Sequence, residues 1–178
     1  MNSRFVFDAS PLIHLAKAGQ SGLVAELEGE KYTVPSVINE VINRGKELDY
    51  PDASVTESLV KNGILNVRAL QRAEVRRIAR VHKDIHLGES EVIALAKEMR
   101  AIALVDDRVA RFVAKIQGIR TEGSYSVILR AVARGSMSAD GAEEALGALV
   151  SSGWRCDAEL YATLLTFARD LAARKARK

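Results

Sequence analysis

Short apolar runs alternate along this chain with longer stretches in which apolar positions recur every three to four residues. Phe5-Val6-Phe7 is a run of β-formers between Arg4 and Asp8, and it predicts a buried strand. A helix follows at once: Ser10 suits its N-cap, and Pro11 its first position, where a missing N–H is tolerated. A short helix is expected over 23–27, ended by Gly29. Lys31 to Val34 reads as a second strand, and Pro35-Ser36 opens a helix carrying Val37, Ile38, Val41 and Ile42, closed by Gly45. A helix over 52–61 leads to Ile64-Leu65-Asn66-Val67, an edge strand or a helical excursion. Further helices are predicted over 71–83, 87–99, 109–117 and 124–134, with a continuous apolar strand at 102–105 and a short strand at 118–121. This alternation predicts a three-layer α/β/α domain with a central parallel sheet of four to five strands over residues 1–135. Two more helices, split by Ser151-Ser152-Gly153-Trp154-Arg155, form an extension over 136–178. Leu146, Leu149, Val150, Leu160, Leu164, Leu165 and Phe167 give that extension apolar faces, to be covered by the same domain or by a partner.

Composition narrows the setting. The chain has 178 residues and is 48% hydrophobic, enough for a core without staples. Its one cysteine, Cys156, excludes an internal disulfide and a Cys-based zinc site, which suits a reducing cytoplasm. Neither a signal peptide nor a membrane span is expected from the pattern. The formal charge of +3 (26 basic against 23 acidic) is too small to imply a nucleic-acid partner, so charge distribution carries that question. Arg68, Arg72, Arg76 and Arg80 recur every four residues and line one helical face, suited to solvent or to phosphates.

Candidate chemistry rests on acids. Asp8 ends one predicted strand, and Asp106-Asp107 ends another. If those strands are parallel neighbours, their ends lie about 5 Å apart. Carboxylates so crowded take up protons unless a cation holds them ionised, and oxygen ligands favour magnesium or manganese. His14, His82 and His86 show no metal-ligand spacing. At about 100° per residue, Glu89 lies about 50° from the centre of its helix's apolar face and Glu91 about 110°. Glu89 is therefore the better inward acid, while both suit the helix dipole. The same arithmetic puts Glu40 roughly 130° from its apolar face, on the surface. Ser124 can cap its helix or orient a phosphate. A dehalogenase-like phosphoryl-transfer domain wants an acid where Ser10 stands.

The order Phe7-Asp8-Ala9-Ser10-Pro11-Leu12-Ile13, Val34-Pro35-Ser36-Val37-Ile38-Asn39-Glu40-Val41, Gly88-Glu89-Ser90-Glu91-Val92 and Leu104-Val105-Asp106-Asp107-Arg108 resembles the PIN-domain family, and within it the VapC-like toxins. The resemblance spans roughly residues 4 to 135. It implies a Mg- or Mn-dependent endoribonuclease with Asp8, Glu40, Glu89 and Asp107 as its acids, and Asp106 as a competing ligand for the metal. It places Ser10 in the site, and leaves Ser124, Arg72, Arg76 and Arg80 as candidates for the RNA substrate. It also implies a homodimer and a small cognate antitoxin. The alternative is a non-catalytic PIN-like module that binds protein or RNA, its acids serving only as caps.

Overall fold

The computed structural model describes residues 3–80 and 85–176, without the side chains of Pro51, Arg72 and Ala176. Five strands form one all-parallel sheet: β1 (Arg4–Phe7), β2 (Glu30–Thr33), β3 (Asn66–Val67), β4 (Ile102–Leu104) and β5 (Thr121–Glu122), in the order β3-β2-β1-β4-β5. The helices are α1 (Ala9–Lys17), α2 (Gly22–Glu26), α3 (Pro35–Ile38), a π-helical segment (Asn39–Arg44) running into α4 (Gly45–Glu47), and α5 (Pro51–Lys61). Then come α6 (Arg72–Ala79), α7 (Leu87–Met99), α8 (Arg108–Ile116), α9 (Tyr125–Arg134), α10 (Ala139–Ser151) and α11 (Ala158–Ala176). The sheet flanked by helices is the expected three-layer α/β/α architecture. Among the described residues no helix is long and apolar enough to cross a membrane.

The chain divides into two compact units. One takes Met1–Ile13 with Glu28–Gly123, the other His14–Leu27 with Ser124–Lys178. In the first, β1 is the central strand, and Phe5, Val6 and Phe7 are buried. Both faces of a parallel strand are covered, so its run of apolar residues is continuous. β1 pairs with β2 (Val6↔Tyr32) on one side and with β4 (Phe7↔Leu104) on the other. The sheet grows from β1 through β2 to β3, then the chain returns to add β4 and β5. The strand order therefore reverses between β1 and β4, the kind of position where open α/β sheets bind ligands beyond their carboxyl ends. Helix α7, buried along Val92, Ile93, Ala94, Leu95 and Ala96, packs on β1 and β4.

Several local expectations need correction. Helix α1 begins at Ala9, so Ser10 lies inside its first turn rather than at the cap. Pro11 is still tolerated, because the first four helical N–H groups lack partners within the helix. Gly45 does not stop its helix: its φ of −61° is helical, and a Cβ there would lie 2.9 Å from the Cβ of Ala53. The glycine is required by close packing against α5, not by a turn. Strand β5 falls at Thr121–Glu122, later than the 118–121 expected, because Gly118 takes a left-handed φ of +72° and Ile119 returns its N–H to Ala114 as α8 ends.

In the second unit α9, α10 and α11 pack on one another, and α2 on α9. Leu146, Leu149 and Leu164 are buried there. Trp154 is buried too, its ring 5.9 Å from that of Tyr125. The Arg134 guanidinium donates to the Glu26 backbone carbonyl and, at 2.9 Å, to its carboxylate, while the Ser136 hydroxyl donates to the same carboxylate at 2.9 Å. Val150 and Phe167 remain exposed.

Candidate acidic site at the carboxyl edge of the sheet

Asp8 is the first residue past β1, and its N–H donates to the Leu104 carbonyl at 3.0 Å, which fixes it against the end of β4. Only 3% of it is exposed. Its carboxylate accepts from the Ser10 hydroxyl at 3.2 Å and from the Ala9 N–H. These bonds do not offset burial. Burial first, then the charges of Glu89 and Glu40, push the Asp8 carboxyl up to about 7.

Glu89 lies in the first turn of α7, where its side chain accepts from the His86 N–H at 2.8 Å, and it is buried. It therefore faces inward and caps its helix at once, so the two readings open for it in the sequence do not compete. Burial raises its pKa, as do the charges of Asp107 and Glu40, against the lowering effect of the His86 N–H.

Asp107 is exposed and caps α8, one oxygen accepting from the Val109 N–H at 2.8 Å and the Ala110 N–H at 2.9 Å. Asp106 is half-buried. Glu40 sits on the π-helical segment and is exposed, while Val41 and Ile42 beside it are buried. The 100° rotation used for the sequence does not hold through a π turn, so the calculated angle is not that of the folded chain. Glu40 is a surface residue, as periodicity indicated, and its charge still reaches Asp8 and Glu89.

Two supports were not evident in the sequence. The Thr33 hydroxyl donates to the Phe7 carbonyl at 2.9 Å, tying the end of β2 to the end of β1. Glu91 accepts from the Ser36 hydroxyl at 2.5 Å and from the Ser36 N–H at 3.4 Å. That contact pins the first turn of α3 to α7, and so sets the segment carrying Glu40 beside the helix carrying Glu89. An acid on α7 two residues from Glu89, matched to an uncapped Ser36 N–H, was the available signal.

Ser10 is half-buried beside Asp8. Ser124 belongs to the second unit and is buried; its backbone is already helical (φ −50°), and its hydroxyl does not cap α9. Arg76 and Arg80 are exposed on and just beyond α6. The Arg72 side chain, and all of His82, Lys83 and Asp84, lie outside the described residues.

Among the described residues no three Asp, Glu, His or Cys side chains are gathered closely enough to hold a metal ion by themselves. The donor chemistry nevertheless fits a hard cation: the groups are oxygen ligands, and a buried, proton-retaining carboxylate is stabilised in its ionised form by a nearby positive ion. Magnesium keeps several waters and is commonly held by one or two carboxylates together with substrate phosphates, a demand that this open group of acids meets.

No curated protein matches this chain. A family model described as a PIN domain matches residues 4–170, all but the first three and the last eight positions of the 178, and the chain belongs to the PIN-domain family.

Proposed function

We propose that this protein is a metal-dependent endoribonuclease and the toxin of a type II toxin–antitoxin pair, acting as a homodimer held in check by a small cognate antitoxin. PIN domains are typically nucleases, and those nucleases generally use divalent metals. The observation that carries the reading is Asp8: a carboxylate buried at the strand-order reversal, raised to about 7, with further acids acting on it. A chain selected for stability alone has no reason to keep it.

Asp8, Glu89 and Asp107, with Asp106 as the alternative to Asp107, are the residues that would hold magnesium or manganese. When bound, the ion supplies a water nucleophile of lowered pKa and neutralises charge on the phosphate. Ser10 fixes the orientation of the Asp8 carboxylate. The caps on α7 and α8 hold Glu89 and Asp107 in place while leaving each one oxygen for other partners. Glu40, exposed at the rim, adds negative charge that favours a cation over a bare phosphate. Arg72, Arg76 and Arg80 supply the compensating positive charge for an RNA backbone, a contribution that weakens with salt.

The test is cleavage of a mixed RNA pool with manganese or with EDTA. Asp107→Asn is the informative variant, because Asn caps a helix as well as Asp does and the fold is retained. Cleavage is expected with manganese only, with Asp107→Asn slowed by at least about tenfold. A wild-type protein that cleaves nothing with any divalent ion would overturn the reading. It would favour the module whose acids act only as caps, a role that Glu89 and Asp107 already fill.

A further inference from the structure

Helix α8 turns a face to solvent that the acidic site does not use. Ala110, Val113 and Ala114 are its buried side. Opposite them Arg108, Arg111, Phe112, Lys115 and Ile116 follow at steps of three, one, three and one residues, which places them in a single stripe. Phe112 and Ile116 are each 57% exposed. Among the described residues no carboxylate pairs with Arg108, Arg111 or Lys115. The stripe borders a shallow groove of about 440 Å³ completed by Ile119 and Thr121.

Cations alone would suit any polyanion, and exposed apolar side chains alone any apolar partner. A phenyl ring set among unpaired cations matches single-stranded nucleic acid, whose phosphates take the charges while a base stacks on the ring. Position supports the same occupant. The N-cap of α8 is Asp107, so at 1.5 Å per residue Phe112 lies about 7.5 Å and Lys115 about 12 Å along the helix axis from that acid. That is the length of roughly two to four stacked nucleotides at about 3.4 Å each.

We propose that the outer face of α8 is a track for single-stranded RNA, with Phe112 as a base-stacking platform and Arg108, Arg111 and Lys115 as phosphate contacts. The track feeds the acidic edge, and in that sense it rests on the ribonuclease reading.

Binding is measured separately from cleavage, by fluorescence anisotropy of a short fluorescein-labelled oligouridylate in EDTA. Phe112→Ala is expected to weaken binding roughly 5- to 100-fold. Phe112→Tyr restores it and Phe112→Leu does not, because stacking needs a flat ring. The double variant Arg111→Ala/Lys115→Ala should make the slope of log affinity against log salt shallower by about 1.4. Phe112 is exposed, and unchanged melting of its variants checks that the fold is intact. Wild-type binding to Phe112→Ala, rescue by Leu, or no binding by the wild type would overturn the track. So would loss of a dimer in Phe112→Ala with RNA binding unchanged, which would identify a protein-docking face. Binding that follows the expected variant pattern without metal-dependent cleavage would sink the ribonuclease reading and leave the track. Cleavage by the wild type with Phe112→Ala indistinguishable from it would do the reverse.

Discussion

Asp8→Asn is expected to lose manganese-dependent cleavage by at least about 100-fold and, at pH 8, to melt at a higher temperature than the wild type. The stability gain follows from the raised pKa. An acid whose pKa is higher folded than unfolded binds its proton more tightly in the native state, so its penalty is absent below the unfolded value. That penalty grows from about pH 4 and is complete above about pH 7. The displacement from 3.8 to about 7 corresponds to roughly 4 kcal/mol. Asn carries no charge at any pH, keeps an oxygen for Ser10 and the Ala9 N–H, and offers its amide to neighbouring acids. A melting temperature higher by about 8–16 °C at pH 8, shrinking to nothing near pH 4, is the expected result. Manganese should narrow the difference without reversing it: at a hundredfold excess over its dissociation constant it stabilises the wild type by about 2.7 kcal/mol and the variant by less. Differential scanning fluorimetry across pH, with and without manganese, reads all of this. A variant less stable than the wild type at pH 8 would show that Asp8 is structural, and a gain independent of pH would remove burial of its charge as the cause.

The second large effect is Gly29→Ala. Gly29 has φ +124°, and a Cβ built there would lie 2.0 Å from the Ser3 carbonyl oxygen, backbone that cannot swing aside. The same Ser3 oxygen accepts from the Glu30 N–H at 3.0 Å and starts the β1–β2 ladder, where Arg4 also pairs with Glu30 at 2.7 Å. Alanine must break that start or displace β2, at about 3–5 kcal/mol. Gly63, with φ +69° and nothing within 4 Å of a built Cβ, is the control, and Gly63→Ala should cost only about 1 kcal/mol. Urea midpoints compare the two, and equal losses would refute the argument from close approach. Because the end of β2 is tied to β1 through Thr33 and leads into the segment carrying Glu40, Gly29→Ala should also impair cleavage at temperatures where the variant is still folded.

The residues of β1 and α7 announce themselves in the sequence because each has one dominant demand. Phe5-Val6-Phe7 must be buried on both faces of a sheet, and Leu87 to Met99 is a long periodic helix whose observed bounds are those expected. The adjacency of Asp8 to the end of β4 was conditional on sheet order, and pairing of Phe7 with Leu104 supplies it. Positions with two demands were less legible. Gly45 reads as a stop and is a packing glycine against Ala53. Ser10 reads as a cap and is an internal donor to Asp8. Glu40 reads as a surface residue and is one, but the π turn that carries it leaves no trace in a 3.6-residue periodicity, so the angle calculated for it is not that of the folded chain.

The central place of β1 also governs when the molecule comes into being. Phe5 pairs with Ile102, a separation of 97 residues (102 − 5), so a nascent chain carries Asp8 long before the strand that completes its surroundings exists. Until residues beyond Asp107 have left the ribosome, the acids stay apart and the first strand has an open edge on which to be held or to misassemble. An acidic edge built this way can assemble only after more than half of the chain has been made.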